Sequence, residues 1–117
     1  MIAAQEGREG LLNMPPINVT VDWPTGQTAA SVSQNPIPVP SANGATVIRW
    51  ACGVNVATFA ITGLDSSEFN PSDSNGQGTS FTTTDSNNNA TSYTYTVSAV
   101  HTNGLKSAHD PEIENGS

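Results

Sequence analysis

Tyr93, Tyr95, Val97 and Ala99 fall on one face of an extended chain, and Thr94, Thr96 and Ser98 on the other, because side chains in a strand alternate with period two. The pattern predicts a half-buried strand over residues 93–102. Asn103-Gly104 follows, a pair suited to the two positive φ values of a type I′ turn, so residues 105–108 are expected to return as an antiparallel partner. An uninterrupted hairpin of that kind would set Val97 against Asp110 and Tyr95 against Glu112, with carboxylates on the apolar side. The last strand is therefore expected to end or bulge between Ala108 and Pro111, with Ile113 re-entering the core separately.

The same alternation recurs upstream. Ile17, Val19, Val21 and Trp23 interleave with Asn18, Thr20 and Asp22, a first strand stopped by Pro24-Thr25-Gly26. Residues 28–33 form a candidate short strand. The segment Asn35-Pro36-Ile37-Pro38-Val39-Pro40 lacks three backbone donors and is confined to a sheet edge or to the space between sheets. After Asn43-Gly44, residues 46–52 place Ile48, Trp50 and Cys52 on one face, with Trp50 as core anchor. Val56, Phe59, Ile61 and Leu64 mark another strand, whose period slips between Val56 and Phe59 and predicts a bulge. Residues 65–78 read as a polar loop, 80–84 as a strand centred on Phe81, and 85–92 as loop. Residues 1–16 form a lead-in closed by Pro15-Pro16, which ends any helix there. Residues 17–117 form the domain. Many short strands at regular spacing, with no stretch of helical period, predict an all-β protein: a single antiparallel β-sandwich of about seven strands.

Composition narrows the partners. Three basic against ten acidic residues give a formal charge of −7 in 117 residues, which repels phosphate backbones and anionic lipid, so nucleic acid is not an expected partner. Only 11% of residues are charged, so solubility rests on Ser, Thr, Asn and Gln. The lone cysteine, Cys52, has no internal disulfide partner. No apolar run reaches the roughly 20 residues of a membrane span, and the first residues lack the basic and apolar regions of a signal peptide, so neither membrane insertion nor a leader is expected. The expected location is extracellular, cell-surface or virion-associated.

The run Tyr93-Thr94-Tyr95-Thr96-Val97, between a polar loop and an Asn-Gly turn, resembles the penultimate strand of immunoglobulin-like and fibronectin type III domains, and Trp50 resembles their core tryptophan. The resemblance covers residues 17–109. It implies that Tyr93 is the tyrosine-corner residue and that Tyr95 stands at the position of the second disulfide cysteine, in a chain without that disulfide. It implies little about activity, since the architecture hosts many functions.

Candidate chemistry is sparse. Asp73-Ser74-Asn75-Gly76-Gln77-Gly78 matches the opening of a calcium loop, but Thr84 stands where a bidentate Glu belongs. Asp85, Asn87 and Asn89 offer a second oxygen cluster. Asp73, Asn75, Asp85 and Asn87 are thus candidate calcium ligands, against the ordinary reading of Asn and Asp as turn residues. His109 with Asp110, Glu112 and Glu114 is a poor transition-metal set. There is no Gly-x-Ser-x-Gly elbow; no catalytic residue and no cofactor are expected, and a hydrolase would need His101 or His109 beside a Ser or carboxylate. Trp23, beside Pro24, is the candidate for stacking on a sugar ring if its indole is exposed. Two functions follow: a non-catalytic structural or protein-interaction module, binding a protein partner or a second copy of itself, or a carbohydrate-binding module assisted by calcium.

Overall fold

The computed structural model describes residues 15–116, so residues 1–14 of the expected lead-in lie outside the described residues. The described residues are all-β, with eleven strands and one 3-10 turn, Ser41–Asn43. The strands are β1 (Ile17–Asp22), β2 (Ser31–Val32), β3 (Ile37–Val39), β4 (Thr46–Cys52), β5 (Val56–Thr62), β6 (Phe69–Asn70), β7 (Ser80–Asp85), β8 (Ser92–Thr94), β9 (Thr96–His101), β10 (Lys106–His109) and β11 (Glu112–Asn115). They form three sheets: β2-β1-β4-β7-β6, β10-β9-β5 and β3-β11-β8. No helix is long and apolar enough to cross a membrane among the described residues.

The period-two faces become the core. Val19, Val21, Ile48, Trp50 and Phe81 from the first sheet, Phe59, Ile61, Val97 and Ala99 from the second, and Ile37, Val39 and Ile113 from the third pack into one hydrophobic cluster. Full burial of a side chain such as Ile48 or Val97 stabilises the fold by about 1.5–3 kcal/mol. Across the cluster, the Trp50 indole N–H donates to the Tyr95 hydroxyl at 3.1 Å, with ring centroids 5.4 Å apart. This satisfies the two polar groups that these aromatics bring inside. Tyr93 is half-buried, set edge-on to Phe69, and its hydroxyl accepts from Asn89.

Three expectations change. The strands exceed seven, because β8–β9 and β10–β11 are two long strands each broken once, and because β2, β3 and β6 are short edge strands. The pairing is not purely antiparallel: β1 runs parallel to β4 and β3 parallel to β11. Each of those pairs is joined by a long excursion, which a parallel connection requires. The hairpin after β9 is not a two-residue turn. His101 donates to the Leu105 carbonyl at 2.7 Å and accepts from Gly104 at 2.8 Å, so the loop is Thr102-Asn103-Gly104. Gly104 takes the positive φ of 94° and Asn103 does not, the arrangement of a type I turn closed by a glycine bulge.

That one extra loop residue reverses the parity of everything downstream. Val97 faces His109, and Ile113 faces Tyr93, so the carboxylates of Asp110, Glu112 and Glu114 point outward. The strand does end at His109, and Ile113 is buried. The break carries no register shift, and Tyr95 still donates to the Pro111 carbonyl at 3.0 Å. The bulge expected in residues 56–59 is present as a shift between Val56 and Thr58.

Candidate functional site

Two regions at opposite ends of β4 carry features beyond core packing. Near Cys52, the turn after β4 meets the hairpin after β9. Trp23 donates its backbone N–H to the Val54 carbonyl at 2.7 Å, and Thr102 donates to the Asn55 carbonyl at 2.9 Å. Asp22 Oδ1 accepts from the Val54 N–H at 2.8 Å. Gly53 leaves room for that carboxylate, since a Cβ there would overlap it. On these linked turns, Val54 and Leu105 are the large hydrophobic side chains that stay in solvent, at 57% and 59% exposure.

Trp23 lies at this end but is only 2% exposed. Its indole N–H donates to the Gln27 carbonyl at 2.9 Å, and its ring meets His101 edge-on at 4.9 Å. An indole packed in this way has no free face for a sugar, so Trp23 does not meet the condition set for a stacking platform. Alternation carried it inward: it continues the buried series of Val19 and Val21. Cys52 donates to the Ala57 carbonyl, and burial pushes its thiol pKa up, which keeps it protonated. His101 Nδ1 accepts from the Asn103 N–H at 2.9 Å, fixing the turn.

At the other end, where β4 begins, buried polar side chains gather. Asp85 pairs with Thr46 and is fully buried, at 0% exposure. Its Oδ1 accepts from Asn115 Nδ2 at 2.9 Å and from the Asn87 N–H at 2.8 Å. The same Asn115 amide donates to Glu68 Oε2 at 3.1 Å, which also accepts from the Asn88 N–H at 2.7 Å. Asn87 takes a positive φ of 54° and donates Nδ2 to the carbonyls of Pro40 and Gly44. Glu68 is buried and Asn115 is 3% exposed. Asp85 Oδ2, Asn87 Oδ1 and Asn115 Oδ1 are buried without a partner. An unsatisfied buried polar atom costs about 1–3 kcal/mol. Burial raises the Asp85 pKa, and the neighbouring Glu68 carboxylate raises it further, against the hydrogen bonds from Asn115 and Asn87.

The candidate calcium ligands therefore separate. Asp85 and Asn87 join the buried cluster. Asp73 and Asn75 form an exposed turn, with Asp73 Oδ1 accepting from the Asn75 N–H, and dock on β5 through Ser74 and Ile61. Asn89 reaches Tyr93 instead. Trp23 lies past the Cys52 end of β4 and Asp85 opposite Thr46 at its start, so at least the length of that strand, about 20 Å at ~3.3 Å per residue, separates them. Glu68 and Asn115 escape sequence reasoning: Glu68 sits in a stretch without period, and Asn115 needs the corrected hairpin parity before it faces inward. Among the described residues no three His, Cys, Asp or Glu side chains gather as a metal-binding group. His109 faces inward, away from Asp110, Glu112 and Glu114.

No protein-family model matches the chain, and no curated protein matches it.

Proposed function

We propose that the chain is an immunoglobulin-like, non-catalytic module that contacts another protein surface, in the first instance a second copy of itself, through the end bearing Val54 and Leu105. The strand order supports the fold reading. β1-β4-β7-β6 beside β5-β9-β10 follows the order of the two sheets of an immunoglobulin constant-type sandwich. In that frame Trp50 lies on one of the two strands that a disulfide joins elsewhere and Tyr95 immediately precedes the other, β9, and their hydrogen bond takes the place of the disulfide. Trp50 then stands on the first of those strands rather than at the core-tryptophan position, and β1 departs from the pattern by running parallel to β4.

One observation carries the interaction reading. Among the described residues, the two large apolar side chains left in solvent sit on turns tied to each other and to Asp22, so their display is rigid. Rigid apolar anchors lose little entropy on association. Sedimentation velocity over a wide concentration range tests it: the sedimentation coefficient should rise with concentration, and Leu105→Asp combined with Val54→Asp should hold the protein monomeric. A wild-type chain that stays monomeric throughout contradicts self-association through this end.

A further inference from the structure

The buried polar cluster at the far end plays no part in that contact. Two carboxylates, Glu68 and Asp85, converge on one amide group, Asn115 Nδ2. Among the described residues only Arg49 and Lys106 are basic. Arg49 is exposed on the outer face of β4, and Lys106 lies opposite Val100 beside the hairpin turn. Neither balances the pair. The atoms left over are all oxygens: Asp85 Oδ2, Asn87 Oδ1 and Asn115 Oδ1, each buried and each without a donor. Their three residues are joined at a single atom, Asp85 Oδ1, which accepts from both Asn87 and Asn115. Buried carboxylates persist where something positive meets them.

The geometry points to a calcium site formed by Glu68, Asp85, Asn87 and Asn115. Once the Asn115 amide turns over, so that Oδ1 in place of Nδ2 faces the two carboxylates, the donor set is oxygen throughout, which disfavours metals that prefer thiolate or imidazole. It mixes carboxylate with neutral amide oxygen, and calcium accepts six to eight such ligands in loose geometry, whereas magnesium demands a near-ideal octahedron and keeps its waters. Glu68 precedes β6, Asp85 ends β7, Asn87 follows it and Asn115 ends β11. The ion would therefore clamp the last strand of the third sheet to the edge of the five-stranded sheet.

Thermal unfolding of the full chain tests the site, measured in a chelator, in calcium chloride and in magnesium chloride, beside isothermal titration with calcium. Saturating calcium should raise the melting temperature by roughly 5 °C or more, as a ligand bound to the native state alone must, with one ion per chain. Glu68→Gln and Asp85→Asn should each abolish the rise. Asp85→Asn should also melt above the wild type in chelator, because it removes a buried charge, and Asn87→Ala replaces it in the comparison if it fails to fold. Absence of heat and shift, the result if water alone fills the cluster, overturns the site. So does an equal shift in magnesium, or a calcium shift that survives these variants.

Discussion

His109 brings an ionisable ring to the inward face of β10 with neither nitrogen hydrogen-bonded. Burial holds its pKa below the ordinary 6.5, against a smaller opposing effect from Asp110. Below pH 6.5 the unfolded chain therefore takes up the proton first, and stability falls with pH through the window between 6.5 and the lower folded value. His109→Leu should flatten that limb in chemical denaturation run across the window, and an unchanged slope in the variant would assign the loss to another group. Asp85 works in the opposite sense. Its pKa is raised, so the stability linked to its proton is present in acid and is lost as pH rises through the folded value. At this scale the sequence was partly legible. Phe81, Thr83 and Asp85 share one face, and all three are buried; a carboxylate in line with a core phenylalanine is a signal, hidden because the β-branched run ends at Thr84.

Among the elements, alternation identified β1, β4 and β9, since a half-buried strand writes its two faces into the sequence, while β5 was marked by apolar residues with a slipped period and β7 by its β-branched content. The edge role of the proline-rich segment also followed from its missing donors: β3 is an edge strand, paired only with β11. Turn geometry was less legible. Asn103-Gly104 suits two different loops, and the choice was made by His101 Nδ1 and Asn103 Oδ1, which accept from the Asn103 and Leu105 N–H groups and hold the longer one. The turn after β4 depends on a close approach in the same way. Gly53→Ala would drive a Cβ into the Asp22 carboxylate that caps Val54. Urea unfolding should show a loss of about 1–3 kcal/mol, the usual range for forced overpacking; a loss near zero would mean that the Asp22 side chain can swing aside at no cost.

For the whole molecule, the two ends of the same framework differ in chemistry. One displays Val54 and Leu105 on interlocked turns, and the other buries Glu68, Asp85 and Asn115. All-β architecture was legible in the sequence; the parallel pairings and the meeting of Glu68 with Asn115, far apart along the chain, were not, because long-range pairing leaves no local pattern. Both ends depend on sheets that hold a fixed relation to each other, and in a chain with a single cysteine that relation rests on the core. Trp50 and Tyr95 lie at its middle, each nearly free of solvent, and burial pushes the Tyr95 phenol pKa up to about 12, so it remains a neutral hydrogen-bond partner. The most direct test is a double-mutant cycle on this pair, with Trp50→Phe, Tyr95→Phe and the double variant unfolded in urea. A coupling of about 1 kcal/mol, the size of a net buried hydrogen bond, is the predicted result; strictly additive losses would contradict a core closed by the Trp50–Tyr95 bond.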